Sequence, residues 1–92
     1  TQLVMYTTSH CHLCEQAEAM LTSLQKLYNI SWEPVEISEN EHLIQRYGTR
    51  IPVIKRSDNQ RELDWPFTEN NIISLIKPKH YSNHLAEIKK PA

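Results

Sequence analysis

The chain has 92 residues and a mass of 10.8 kDa, which by the usual size rule is one domain with a modest core. Hydrophobic residues make up 39% and charged residues 23%, the composition of an ordinary soluble globular protein. Ten Lys and Arg against eleven Asp and Glu leave a net charge of −1, which argues against nucleic-acid binding, because phosphate neutralisation needs a basic surplus. No apolar run approaches the roughly 20 residues of a membrane span. No Lys- or Arg-led apolar segment of the kind that reads as a secretory leader opens the chain. The expectation is therefore a cytoplasmic monomer with no membrane and no nucleic-acid partner.

In chain order, Leu3-Val4-Met5-Tyr6-Thr7 is a short β-prone run with apolar residues on both faces, and it reads as a buried strand. Thr8-Ser9-His10 is a polar turn, and a long helix starts near Cys11. Its apolar positions Cys14, Ala17, Leu21, Leu24 and Tyr28 step by 3 and 4, with Met20 and Leu27 beside them, and Asn29 marks its stop. Ser31–Ile37 reads as a second strand, placed near a sheet edge by Pro34, which has no N–H to donate. Ser38-Glu39-Asn40-Glu41 has the pattern of a capping box for a short helix to about Tyr47 that buries Leu43, Ile44 and Tyr47. Gly48, the only glycine, falls where a left-handed C-cap is expected. Pro52–Arg56 reads as a third strand, Ser57-Asp58-Asn59-Gln60 as a turn, and Arg61–Trp65 as the returning strand of a hairpin. Thr68 is placed to cap a last helix over Glu69–Ile76, with Pro78 beyond its end. Residues 78–92 form a polar tail, with one further helical piece expected over Ser82–Lys89.

The element order is β-α-β-α-β-β-α. Two strands joined through a helix imply a parallel pair with a right-handed crossover, and the last two imply an antiparallel hairpin. Charge is uneven: residues 1–44 carry one lysine against six glutamates, and residues 77–92 carry four lysines against one glutamate. The tail is either a solvated extension or a segment that docks on an acidic surface.

The chemistry points to Cys11-His12-Leu13-Cys14, the only two cysteines of the chain. One local pair cannot staple distant segments, so it is chemical or metal-binding rather than structural. A cysteine at a helix N-terminus meets unpaired N–H groups and the positive end of the helix dipole, both of which favour thiolate below the ordinary ~8.5. A spacing of three puts Cys14 on the same face of the first turn. That suits exchange in two steps, with attack by one thiolate and resolution by the other. His12 is placed to support a Cys11 thiolate. Metal is the rival reading: Cys11, Cys14, His80 and His84 together form C-x-x-C…H-x-x-x-H, a ligand set that zinc accepts, although the long gap is unlike a zinc finger.

Thr7-Thr8-Ser9-His10-Cys11-His12-Leu13-Cys14 between a strand and a long helix resembles the active-site segment of glutaredoxins in the thioredoxin superfamily. Thr49-Arg50-Ile51-Pro52-Val53 resembles the segment that holds that superfamily's cis-proline. The likeness in order and spacing spans roughly residues 2–77. More narrowly, the chain resembles small bacterial glutaredoxin-like proteins with a Cys-x-Leu-Cys-Glu start and an Arg-Ile-Pro-Val segment. The resemblance implies a thioredoxin-like α/β fold with a central mixed four-stranded sheet over residues 1–77. It implies a thiol–disulfide oxidoreductase in which Cys11 is the nucleophile and Cys14 the resolving thiol. Pro52 would be cis and face the cysteines, and the Ile51 backbone would pair with a bound peptide like an added strand. Arg50 would pair with a substrate carboxylate. No bound cofactor and no resident metal is implied. Substrates would be disulfide-containing proteins or glutathione, the latter as co-substrate. The chain departs from the glutaredoxin pattern at His12-Leu13 (usually Pro-Tyr), at Thr8 (usually Lys), and at Trp65–Asn70, where a Gly-Gly step and an acidic pair are usual. The alternative from another class is a binding module that keeps the fold and holds a peptide or metal through Cys11 and Cys14.

Overall fold

A computed structural model describes residues 1–77. Its elements are β1 (Gln2–Thr7), α1 (His12–Gln25), β2 (Ser31–Glu36), α2 (Glu41–Tyr47), β3 (Val53–Arg56), β4 (Glu62–Asp64) and α3 (Glu69–Ile76). They form one four-stranded sheet in the order β2-β1-β3-β4. β1 pairs in parallel with β2 and antiparallel with β3, and β3 pairs antiparallel with β4. The expected Ser82–Lys89 helix, and His80 and His84 of the zinc alternative, lie outside the described residues.

Strand alternation sorts the two faces. Leu3 and Met5 of β1, with Ile54 of β3, are fully buried on one face and pack with Cys14, Ala17, Leu21 and Leu24 of α1 and Ile72 and Leu75 of α3. The 3-and-4 spacing along α1 is thus the stripe that covers the sheet. Val4, Tyr6 and Val53 point to the other face, toward α2, whose Tyr47 stacks on Tyr6 at 4.0 Å between ring centroids. β2 is an edge strand, and its Pro34 sits opposite Met5 without the lost N–H disturbing an interior ladder.

Arg56 is a buried charged side chain on the core face, 6% exposed. Its Nη1 donates to the carbonyls of Leu75 and Lys77, each at 2.9 Å, at the C-terminal end of α3. Its Nε and Nη2 donate to Asp58 at 2.9 and 2.6 Å. One guanidinium therefore satisfies orphan carbonyls of α3 and is itself neutralised. The same Arg56 contact holds the Asp58 carboxyl below its usual range.

Local expectations fail at four places. The cap of α2 is Asn40, whose side chain accepts from the Leu43 N–H at 3.1 Å, and not Ser38. The backbone stays tied to the sheet through the Ile37 N–H, which donates to the Thr7 carbonyl at 3.0 Å. It then turns through Asn40, so the helix starts late. Gly48 has φ −54 and is right-handed. A Cβ there would stand 2.5 Å from the Ile44 carbonyl oxygen, so the glycine serves close backbone approach. Burial of Ile44, and continuation of the α1 stripe to Tyr28, do not occur. Ile44 is 41% exposed because α2 faces the sheet through Tyr47. Leu27 and Tyr28 are exposed because α1 ends at Gln25 and the chain turns away.

Candidate active site

β1 delivers the chain to the N-terminus of α1 through Thr8-Ser9-His10. His10 takes φ 60, a left-handed value uncommon for a residue with a side chain. Cys11 follows as the N-cap of α1, and its Sγ accepts from the Cys14 N–H at 3.1 Å. A sulfur thus fills the role an Asp or Ser oxygen usually fills. Cys11 and Cys14 are joined by a disulfide, with Cα atoms 5.2 Å apart. The two differ in access: Cys11 is half-buried, whereas Cys14 is 2% exposed and belongs to the core. A partner from solution meets Cys11 first, and Cys14 is shielded behind it.

The 49–53 segment arrives at the same end of the sheet. Tyr6 pairs with Val53, so the next step along each strand brings Pro52 alongside Thr7, where the cysteine loop begins. The Ile51–Pro52 peptide bond is cis. Pro52 is buried, and its carbonyl accepts from the Trp65 N–H at 3.2 Å. Cys11, Ile51 and Trp65 all pack, half-buried, on the cluster that contains Cys14 and Phe67. Trp65 meets Phe67 edge-on at 4.9 Å, and Phe67 is core. The Ile51 N–H already donates to the Tyr47 carbonyl at 3.1 Å. A peptide lying here has the Ile51 carbonyl as its acceptor, or must displace that bond.

His12 and Arg50 are not part of this apolar cluster. His12 is 82% exposed, with Nδ1 4.0 Å from Glu15. The Arg50 guanidinium lies on the α2 side of the sheet, 5.0 Å from the Tyr47 ring centroid. Its Nη1 donates to both oxygens of Asp64 at 3.0 and 3.1 Å, its Nη2 to Glu62 at 3.3 Å, and its Nε to the Arg46 carbonyl at 3.3 Å. Tyr47 donates its hydroxyl to Glu62 at 2.6 Å. Burial opposes the Arg50 charge, but Asp64 and Glu62 outweigh it and push its pKa up further. Burial likewise raises Glu62, yet the Tyr47 and Arg50 hydrogen bonds leave it lowered. This network was missed in the sequence. Its signal was Glu62 and Asp64 two apart on a strand, and so on one face, following an arginine.

Glu36 is a second unforeseen member. It ends β2 opposite Thr7. The Ser9 hydroxyl donates to it at 3.4 Å and the Ser38 N–H at 3.1 Å. Contact with the Thr8 side chain, then with Ser38, holds its carboxyl below the usual range. An ionised carboxylate therefore borders the cysteine loop. Among the described residues, no three His, Cys, Asp or Glu side chains are grouped to hold a metal ion. No helix among them is long and apolar enough to cross a membrane.

Residues 2–77 match a family described as a glutaredoxin-like domain (DUF836). A structural-genomics target protein from X. campestris has a TM-score of 0.73 at 32% identity, covering 83% of this chain and 99% of its own. A protein from Nitrosomonas europaea, solved by solution NMR, has a TM-score of 0.73 at 34% identity, covering 83% of this chain and 91% of its own. A thioredoxin mutant from Halobacterium salinarum has a TM-score of 0.64 at 22% identity, covering 82% of this chain and 70% of its own, a likeness of fold alone. The architecture is the thioredoxin-like α/β fold with a mixed four-stranded sheet. No curated protein matches the chain.

Proposed function

Because the chain belongs to the glutaredoxin-like domain family (DUF836) within the thioredoxin superfamily, we propose that it is a small thiol–disulfide oxidoreductase. The observation that carries this reading is the asymmetry of the pair. Cys11 is a half-buried N-cap whose sulfur faces a backbone N–H, and Cys14 is bonded to it from within the core. After reduction, the Cys14 N–H and the positive end of α1 favour negative charge on Cys11 Sγ.

The cycle balances as follows. Cys11 thiolate attacks one sulfur of a substrate disulfide. The substrate S–S bond breaks, a Cys11–substrate disulfide forms, and the first substrate thiolate leaves. The Cys14 thiol gives its proton to solvent or to the departing thiolate and attacks Cys11 Sγ. The Cys11–Cys14 disulfide forms, and the second substrate thiolate leaves. The substrate gains two electrons, and an external thiol or thiol reductase restores the dithiol. Pro52 and Ile51 border the approach to Cys11, and the Ile51 carbonyl accepts from a substrate N–H as in strand addition. The exposed His12 contributes at the rim. Substrates are disulfides of a protein or of glutathione, no resident cofactor takes part, and the setting is the cytoplasm, with the chain as a monomer.

The test is mixed-disulfide trapping. With Cys14→Ser, a disulfide substrate should leave one stable adduct on Cys11, read by intact mass and removed by reductant. Cys11→Ser should form no adduct and lose all turnover. Full turnover by Cys11→Ser, or adducts on neither cysteine, rejects the reading in favour of a binding module.

A further inference from the structure

We propose that Asp64, backed by Glu62, is a specificity-determining residue that keeps Arg50 from substrate carboxylates, so that the site takes protein disulfides and discriminates against glutathione disulfides. The inference rests on the oxidoreductase reading above and names the substrate class of that same site.

Arg50 is two residues before Pro52 and is the cation that the 49–53 segment brings to this end of the sheet. A small thiol peptide that carries carboxylates, such as glutathione, needs such a cation, because Arg recognises carboxylate through a planar fork of N–H groups. Here that fork is already engaged. All three guanidinium nitrogens have acceptors: both Asp64 oxygens, Glu62 and the Arg46 carbonyl. The guanidinium is also held against the Tyr47 ring, and Tyr47 is anchored by Glu62 and stacked on Tyr6. Asp64 is fixed by the β3–β4 ladder, where it pairs with Val53. A tethered carboxylate of this kind acts at an effective concentration of at least millimolar order, which a free ligand must exceed to displace it.

Charge adds to occupancy. An incoming carboxylate at Arg50 meets Asp64 directly, while Glu62 is shared between Arg50 and Arg46, whose Nη2 lies 3.9 Å from it. Near Cys11 it meets Glu15 on the first turn of α1 and the ionised Glu36 beside the loop. The apolar rim offers contacts of another kind. Leu13, two residues after Cys11, is 40% exposed, and Ile51 and Trp65 are half-buried on the same cluster that Cys11 packs on. A disulfide within a protein segment, with apolar neighbours and no nearby carboxylate, fits this rim.

The experiment is single turnover of the pre-reduced protein at pH 8. Two probes are used: glutathione disulfide, and an N-acetylated, C-amidated peptide disulfide with apolar flanks. Each reaction consumes the Cys11–Cys14 dithiol and releases two probe thiols, so no added reductant enters the balance. Wild type should react faster with the amidated peptide. Asp64→Asn should raise the glutathione-to-peptide rate ratio at least about 10-fold, the worth of one charge-assisted hydrogen bond released to the ligand. Arg50→Ala added to Asp64→Asn should return that ratio to within about 2-fold of wild type, because the released guanidinium is what the ligand engages. If Asp64→Asn unfolds, Glu62→Gln, which among the Arg50 nitrogens weakens only the Nη2 contact, should raise the ratio by a smaller factor. An unchanged ratio in the folded Asp64→Asn variant overturns the proposal, as does a rise of the same size in the chain carrying both Asp64→Asn and Arg50→Ala. Consumption of the dithiol by neither probe overturns the oxidoreductase reading itself, a result distinguishable from an unchanged ratio.

Discussion

Tyr47 shows how one side chain links the support of the site to the stability of the fold. It is 1% exposed, and its hydroxyl donates to Glu62 and accepts from Arg46 Nε at 3.2 Å. Burial first, then the Glu62 carboxylate, pushes its pKa up to about 12 from 10.0. A raised value means that the folded state favours the neutral phenol. That contribution is complete below pH ~10 and is lost as pH rises toward 12. Glu62 has the opposite sign: its lowered value contributes stability above pH ~4.5 that is lost on acidification. Thermal unfolding across pH should therefore fall on both sides. Tyr47→Phe should flatten the alkaline limb between pH 10 and 12, and Glu62→Gln should flatten part of the acid limb. An alkaline limb identical in Tyr47→Phe and wild type would refute the assignment. The burial of Tyr47 was legible in the sequence, and its polar partners were not. A tyrosine at a helix end reads as core, and its polar partner comes from β4, 15 residues later.

Elements were legible in proportion to how far their signals are local. α3 was expected over Glu69–Ile76 with Thr68 as cap and has those bounds, because cap, apolar spacing and stop lie within one short stretch. The Thr68 side chain accepts from the Asn71 N–H at 3.2 Å, and the Asn71 side chain reaches back to the Thr68 N–H at 2.9 Å. Thr68→Ala should cost about 1 kcal/mol and lower Tm by roughly 4–8 °C for a domain of this size. A loss under about 0.3 kcal/mol in chemical denaturation would show that the cap is idle and that Arg56 and core packing alone hold α3. α2 was less legible. Ser38 and Asn40 both have capping chemistry, and the choice between them is made by Ile37, which is 3% exposed and hydrogen-bonded to β1. Tertiary context decided that boundary, and no local pattern recorded it.

At the scale of the whole molecule, the strand order brings two distant segments together at one end of the sheet. Cys11 follows β1, and Pro52 precedes β3, which pairs with β1. The order β-α-β-α-β-β-α and the C-x-x-C at a helix start were readable because periodicity and turn chemistry are local. The two cysteine environments, one half-buried and one core, followed from helix spacing once α1 was placed on the sheet. The occupancy of Arg50 was not readable. Its partners depend on the β3–β4 register and on which face each side chain takes. What the residues carry individually was visible early, and which of them are already engaged with one another emerged only in the folded chain.

The central claim is that Cys11 and Cys14 form a redox couple that opens and closes under mild conditions. The most direct measurement equilibrates the protein across glutathione and dithiothreitol buffers, traps thiols by alkylation, and counts them by intact mass. The account predicts a reversible change of two thiols, localised to Cys11 and Cys14, with Cys11 alkylated first in the reduced protein. A pair that never closes, or that becomes reactive only after a chelator is added, would contradict it and point to metal or partner binding through the same two sulfurs.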